Sequence, residues 1–138
     1  MKAEIKTMTE VVNVKKKYLN KAGYMDFQHW IRDPNNVYIG RNLSFYSRGY
    51  RGSKDTKIEI VGSKWGNPFR VKKYGREECL KMYEEYIRND SKTYDGKTLY
   101  QSLDELEGKT LGCWCHPDPC HGHVLLKILR ERRGKVEV

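Results

Sequence analysis

The sequence has no long apolar segment and few cysteines. No apolar run approaches the roughly 20 residues that cross a membrane, and residues 1–7 lack the apolar centre of a secretory signal peptide. Four of the 138 residues are cysteines, and three of them fall within eight positions. Disulfide frameworks of secreted domains spread their cysteines to tie distant loops. We therefore expect an intracellular protein in a reducing compartment, with no membrane partner and with cysteines that bind metal or react.

Acidic residues are scarce in one part of the chain. From Arg41 to Arg76 there are 10 Lys/Arg and 2 Asp/Glu, so this segment carries +8 of the formal net charge of +9. The rest of the chain is close to neutral. An imbalance confined to one segment indicates an anionic partner at a defined face. We expect this partner to be a nucleotide or a nucleic acid.

The length and the apolar patterning predict one α/β domain. Residues 1–9 are polar and predict a flexible tail, and residues 10–138 form the domain. Short β-branched or apolar runs predict strands at 11–14, at 37–39 and from Leu111 onward. Apolar residues at helical spacing predict helices at 77–89, at 98–107 and after Asp118. We expect a small, mixed sheet covered by about three helices.

Residues 42–57 form a basic aromatic insertion without apolar periodicity. Its Arg-Gly-Tyr-Arg-Gly core is typical of segments that stack on bases and pair with phosphates, and Arg48 and Arg51 are its candidate contacts. The alternative is a solvated surface insertion with no ligand. The alternating residues 58–61 predict a strand that closes the insertion as a hairpin.

The stretch at 62–70 combines aromatic and cationic residues in a loop. Lys64 and Arg70 are candidates to hold phosphate, with Asn67 beside them and with Trp65 as a platform for a base or a sugar. The alternative is that Trp65 and Phe69 fill the core under a tight turn. We favour the functional interpretation, because a core plug does not need the polar neighbours.

A cysteine- and histidine-rich turn at 113–123 joins the last strand to the last helix. Such junctions are the usual sites of chemistry in α/β folds. Asp118 suits the N-cap of the helix and Pro119 suits its first position, which puts Cys120 and His121 in the first turn. The positive end of the helix dipole stabilises a thiolate or a bound anion there.

One interpretation of this turn is a zinc site. Cys113, Cys115 and Cys120 would bind zinc together with one histidine, for which the candidates are His116, His121 and His123. Side chains two residues apart on a strand lie about 6.6 Å apart, whereas two zinc-bound sulfurs approach to about 3.8 Å. The strand would therefore have to bend after Cys113.

Two further interpretations need no metal. Cys120 or Cys113 can act as a nucleophile activated at the helix start, with His121 or His116 as its acid or base. Alternatively, the small thiols only pack inside the domain.

Several blocks of the sequence can also be compared with a known family. They are Val-Val-Asn at 11–13, Tyr-Ile-Gly-Arg at 38–41, Ser-Lys-Trp-Gly-Asn-Pro-Phe at 63–69, Leu-Gly-Cys-Trp-Cys at 111–115, Pro117, Cys-His-Gly at 120–122 and Val-Leu at 124–125. In this order they resemble the domain of unknown function 4326 family, small proteins of bacteria, phages and some large viruses. The resemblance extends from about Glu10 to Leu129. It implies that the polar blocks meet in one pocket, but it implies no particular enzymatic or binding activity.

This chain departs from the compact pattern of that family through additions at 20–36 and 42–57. The second addition makes a nucleic-acid partner more plausible for this member. A weaker similarity, a cysteine near a strand end followed by Cys-His at a helix start, links the chain to a group with a Rossmann-like arrangement. We use that similarity as an analogy only.

The leading hypothesis is a nucleotide- or nucleic-acid-acting protein, with an enzymatic role left open. Arg41, Lys64 and Arg70 would hold phosphate beside the reactive or metal centre at the Cys/His turn. The alternative is a non-catalytic, zinc-stabilised module that uses its basic insertion to hold nucleic acid or a protein. A third hypothesis is an interaction protein whose charge only keeps it in solution.

Overall fold

A computed structural model of this protein describes residues 8–47, 54–116 and 118–136. Within these residues the strands form a three-stranded sheet and two small hairpins. Within these ranges the strands are β1 (Glu10–Asn13), β2 (Asn36–Tyr38), β3 (Leu43–Ser47), β4 (Thr56–Ile60), β5 (Thr93–Tyr94), β6 (Lys97–Thr98) and β7 (Thr110–Cys113). The helices are α1 (Lys16–Lys21), α2 (Phe27–Ile31), α3 (Val71–Tyr74), α4 (Arg76–Asn89), α5 (Leu99–Ser102) and α6 (His121–Val136). A 3₁₀ turn at Leu103–Leu106 follows α5.

The central sheet is parallel and has the order β1-β7-β2. Its middle strand β7 is buried at Leu111, Gly112 and Cys113, as expected for a parallel strand covered on both faces. Val12 and Tyr38 both pair with Gly112 across the sheet. The predicted α/β class is therefore confirmed. The sheet itself is not mixed, because the antiparallel pairs lie apart from it in the hairpins β3–β4 and β5–β6.

Each face of the sheet packs against its own apolar cluster. On one face Leu111 packs with residues of α4, α5 and α6, including Tyr83, Leu99 and Leu125. On the other face the backbone of Gly112 lies against Trp30 of α2, and a Cβ at position 112 would fall 2.3 Å from the Trp30 ring. The middle strand therefore needs glycine at this position, because only a bare backbone lets the tryptophan cover the sheet.

The predicted helix at 77–89 is confirmed as α4, which begins one residue earlier, and Cys79 lies buried in the core as its spacing predicted. The predicted helix at 98–107 is shorter and divides into α5 and the 3₁₀ turn. Thr98 caps α5 and forms a reciprocal pair of hydrogen bonds with Gln101. No helix in the described part of the chain is long and apolar enough to span a membrane.

Part of the predicted insertion is regular structure. β3 and β4 pair antiparallel from Leu43–Ile60 to Ser47–Thr56, which confirms the hairpin predicted from residues 58–61. Arg48 and Arg51 lie at 48–53, outside the described residues, as do residues 1–7 of the predicted tail. Thr9 is not part of a free tail: its hydroxyl donates to the Leu106 carbonyl at 2.9 Å and accepts from the Gly108 amide.

Candidate functional site

A cleft of about 630 Å³ opens where β2 and β7 end and α6 begins. Ligands of parallel α/β sheets bind at this carboxyl edge. The cleft is lined by four cationic side chains, by several aromatic and aliphatic side chains, and by the Cys/His turn: Arg41, Arg70, Lys72, Arg76, Tyr38, Leu43, Phe69, Val71, Leu80, Trp114, Cys113, Cys115, Cys120 and His121. No aspartate or glutamate lines it within the described ranges. The wall is therefore positive and largely apolar.

Two buried thiols meet at the Cys/His turn. The Cys113 and Cys120 sulfurs lie 3.3 Å apart, and both residues are almost fully buried. The hydrogen bond from Cys120, helped by the amides of Cys115 and His116, outweighs burial and lowers the pKa of Cys113 to about 6. The same pairing and burial raise the pKa of Cys120. The Cys113 thiol therefore ionises more readily than an ordinary cysteine, and the Cys120 thiol keeps its proton.

The start of α6 differs from the prediction. The helix begins at His121, so Asp118 and Pro119 lie outside it, and the Asp118 amide donates instead to the Cys115 carbonyl. Asp118, which the sequence predicted as the N-cap, therefore closes a turn with Cys115 before the helix begins. Cys120 immediately precedes the helix, and its carbonyl accepts from the His123 amide at 3.0 Å.

His121 is fixed in one tautomer by the end of β2. Its Nε2 lies 2.6 Å from the Ile39 carbonyl oxygen, which can only accept, so Nε2 carries the proton and Nδ1 is left as a lone-pair acceptor. Burial lowers the pKa of His121, and the Arg41 charge acts in the same direction. The ring of Tyr83 packs edge-on against it at 5.1 Å. His121 is therefore a neutral, oriented imidazole on the cleft wall.

The other two histidines of the turn are hydrogen-bonded to one another. The Cys120 amide donates to His123 Nδ1 at 3.1 Å, so His123 Nε2 carries the proton and donates to His116 Nδ1 at 3.2 Å. Burial lowers the pKa of His123, and the neighbouring His116 adds to this effect. Asn13 supports the turn, since its amide donates to the Trp114 and His116 carbonyls.

The candidate zinc ligands are only partly brought together. Cys113 and Cys120 are in contact, whereas Cys115 is exposed and His121 is bonded to Ile39. β7 ends at Cys113, so the alternation that would give Cys113 and Cys115 one face does not continue. Among the described residues, no three His, Cys, Asp or Glu side chains form a group that could hold a metal ion.

The loop at 63–69 is joined to the cleft through Arg41. The Arg41 Nε donates to the Asn67 carbonyl at 2.8 Å and its Nη2 donates to the Phe69 carbonyl at 2.6 Å. Phe69 and Asn67 line the cleft together with the Cys/His turn. Of the four blocks that the family resemblance brought together, Arg41, this loop and the Cys/His turn therefore contribute to one cavity, and Asn13 at the end of β1 does not line it.

Two candidate residues of this loop do not lie on the cleft wall. Trp65 is 2% exposed and lies in the core, so its ring offers no free face to a base. Its carbonyl accepts from the Tyr83 hydroxyl at 2.6 Å, which anchors the backbone of the loop to α4. Lys64 forms an ion pair with Glu105 at 2.9 Å and is not part of the cleft wall. The alternative interpretation, a core plug under a tight turn, is correct for Trp65.

Several cleft residues were missed from the sequence. Arg76 starts α4 and donates to the Pro119 carbonyl at 2.7 Å, which ties this helix to the Cys/His turn. The Tyr38 hydroxyl donates to the Arg41 carbonyl and accepts from the Trp114 indole at 2.9 Å. The density of basic residues up to Arg76 was the available signal for Lys72 and Arg76. Nothing in the local pattern of Tyr38 distinguishes it from a core residue.

Comparison with known proteins relates the chain to viral proteins. It is 35% identical over 104 residues to an uncharacterised protein of Acanthamoeba polyphaga mimivirus, covering 68% of this chain and 66% of that protein. It is 31% identical over 81 residues to an uncharacterised 12.4 kDa protein from the nrdA-td intergenic region of Enterobacteria phage T4, covering 58% of this chain and 71% of that protein. The chain thus spans about two thirds of the length of the mimivirus protein. No solved structure matches.

The family match includes both blocks that line the cleft. Residues 25–131, most of the chain, match the family described as Domain of unknown function (DUF4326). The match contains the loop at 63–69 and the Cys/His turn. It does not contain β1, although the blocks compared in the sequence began at residue 11. The chain belongs to the DUF4326 family.

Proposed function

We propose that this protein binds a nucleotide in the cleft at the carboxyl edge of its parallel sheet. The observation that carries the proposal is the charge of the wall: four cationic side chains and no acidic one among the described residues that line it. Such a wall favours an anion with several negative charges. The start of the 16-residue helix α6 adds the positive end of a helix dipole at the same edge.

The apolar part of the wall suits a base. The rings of Phe69 and Trp114 are partly exposed at the cleft, and Tyr38 lies beside them. Aromatic rings bind bases by stacking, which is worth roughly 1–3 kcal/mol per base. A volume of about 630 Å³ is within the roughly 300–1,000 Å³ of small-molecule sites. A phosphate on the cations and a base on the rings would use both parts of the wall.

An enzymatic role of the same centre would use Cys113 and His121. Cys113 has the lowered pKa that a nucleophile needs, whereas Cys120 keeps its proton. His121 directs an unprotonated Nδ1 away from Ile39 and is the candidate base. In this proposal Cys120 stabilises the Cys113 thiolate through its hydrogen bond and does not attack the substrate itself.

A zinc-stabilised module is the second candidate, and one observation favours it. The Cys113 and Cys120 sulfurs are 3.3 Å apart, close to the separation of about 3.8 Å between two zinc-bound sulfurs. Metal analysis of the tag-free protein under reducing conditions tests this candidate, paired with thiol titration before and after chelation. One zinc per chain, with thiols that titrate only after chelation, supports it, and metal-free protein with freely titrating thiols contradicts it.

Calorimetric titration with adenosine, AMP, ADP and UDP tests nucleotide binding. We expect the nucleotides to bind and adenosine to bind much more weakly, with affinities that fall as salt is added. Arg70→Gln should weaken ADP binding about tenfold or more, because it removes a charge-assisted contact worth roughly 1.5–3 kcal/mol. Arg32→Gln is the matched control, since Arg32 is exposed at the end of α2 and is not part of the cleft wall.

Single-stranded oligonucleotides form the second arm of this titration. Tight binding of DNA or RNA without measurable binding of mononucleotides would contradict the proposal. If that binding fell steeply with salt and was lost on replacing Arg48 and Arg51, it would favour the nucleic-acid module instead. Absence of binding to either class at low salt would favour an interaction protein.

A further inference from the structure

A second cavity adjoins the cleft, and its wall is mainly polar where the wall of the cleft is mainly apolar. It measures about 400 Å³ and is walled by the loop at 62–68, with polar contributions from Ser63 and Asn67 and with glycine backbone at Gly62 and Gly66. Gly62 is required by close packing, because a Cβ at this position would fall 2.8 Å from the Asn42 amide nitrogen. Apart from Arg41, Pro68 and Arg70, the wall of this cavity therefore consists of backbone and small polar groups, without the aromatic rings of the cleft.

The two cavities share a cationic boundary. Arg41, Asn42, Asn67 and Arg70 line both of them. The Arg41 guanidinium donates to the Phe69 carbonyl, which belongs to the peptide bond that leads into Arg70. The Arg41 guanidinium therefore lies against the backbone that leads into Arg70, where the apolar space meets the polar space.

Arg41 is held in place without using all its donors. Within residues 8–47, 54–116 and 118–136, two of its five N–H groups donate, to the carbonyls of Asn67 and Phe69, and the other three have no partner there. A guanidinium whose position is already fixed loses little freedom when it binds an anion. Together, Arg41 and Arg70 offer two forked donors to neighbouring phosphoryl groups.

From this arrangement we infer that the ligand is a nucleoside diphosphate joined to a sugar. This inference rests on the proposed nucleotide site and names its ligand class. The base lies on the rings of the cleft, the diphosphate bridges Arg41 and Arg70 at the boundary, and the sugar hydroxyls face Ser63 and Asn67 in the second cavity. A nucleoside monophosphate or diphosphate alone would leave the second cavity to water.

Titration of the wild-type chain with ADP, ADP-ribose, UDP and UDP-glucose tests the inference. We expect at least one sugar-bearing ligand to bind about tenfold tighter than its parent diphosphate, since two or three hydrogen bonds to hydroxyls contribute roughly 0.5–1.5 kcal/mol each. Ser63→Leu, which fills the polar cavity, should abolish this difference, and the readout is the ratio of the two affinities within the variant.

The outcomes separate this inference from the proposed function. If the parent diphosphates bind and neither sugar improves binding, the inference is wrong and the nucleotide site stands. If none of the four ligands binds, both fail. The wild-type ligand series decides the matter even if the Ser63→Leu variant does not fold. A sugar-dependent gain that persists in a folded Ser63→Leu variant would place the sugar outside the second cavity and overturn the assignment.

Discussion

Replacing Tyr83 by phenylalanine should loosen the connection between the core and the cleft. Tyr83 lies on α4 with no exposed surface, donates to the Trp65 carbonyl at 2.6 Å and packs against the His121 ring. It therefore joins α4, the loop at 63–69 and the start of α6. Tyr83→Phe keeps the ring contact and removes only the hydroxyl, so the Trp65 carbonyl loses this buried partner.

The size of the effect follows from that lost partner. A buried polar group left without its hydrogen bond costs about 1–3 kcal/mol, so we expect the free energy of unfolding to fall by that amount. Urea titration followed by circular dichroism measures the change, and the slope against urea should stay the same because the exposed surface does not change. Tyr18→Phe is the matched control: Tyr18 is 36% exposed, and its change should stay within about 0.5 kcal/mol. If both variants changed stability equally little, the bridging role of Tyr83 would be refuted.

Three further predictions concern the turn and the sheet. The free energy of unfolding should fall from pH 7.5 to 5.5, because burial lowers the pKa of His121 and the unfolded chain therefore takes up a proton at this residue before the folded chain does. The fall should be smaller in His121→Gln. Equal falls for the two proteins in urea titrations would contradict this. The ultraviolet absorbance of thiolates should show a step with its midpoint near the Cys113 pKa of about 6, and this step should move to higher pH in Cys120→Ala. An unshifted step would be evidence against the thiol pair. Gly112→Ala should lose about 1–3 kcal/mol of stability in urea, because its Cβ would overlap Trp30, and unchanged stability would show that the sheet can shift.

The strands of the parallel sheet, β4 and helix α4 could be predicted from the sequence because their signals are local. The apolar residues of α4 repeat with the period of a helix, and the residues before Lys15 form a short β-branched run. The parallel pairing of β1 with β7 joins residues about 100 positions apart, and no local pattern specifies it. This explains why the α/β class could be predicted while the parallel order of the sheet could not.

The candidate site was predictable in its blocks and not in its contacts. Composition singled out both the Cys/His turn and the loop at 63–69, but it could not tell which ring of the loop faces inward. Trp65 lies in the core, and its carbonyl accepts from the Tyr83 hydroxyl, 18 residues away in sequence. Arg76 reaches Pro119 across 43 residues. Such contacts depend on how α4 packs, which the sequence pattern alone does not determine.

An NMR titration of the ¹⁵N-labelled chain with ADP tests the central claim most directly, because it reports both whether a nucleotide binds and where. The account predicts that amide shifts move at 39–42, 67–72 and 113–122, where the cleft wall lies, and stay constant in α1. Shifts confined to other parts of the chain, or no shifts at millimolar ADP, would contradict a nucleotide site in this cleft.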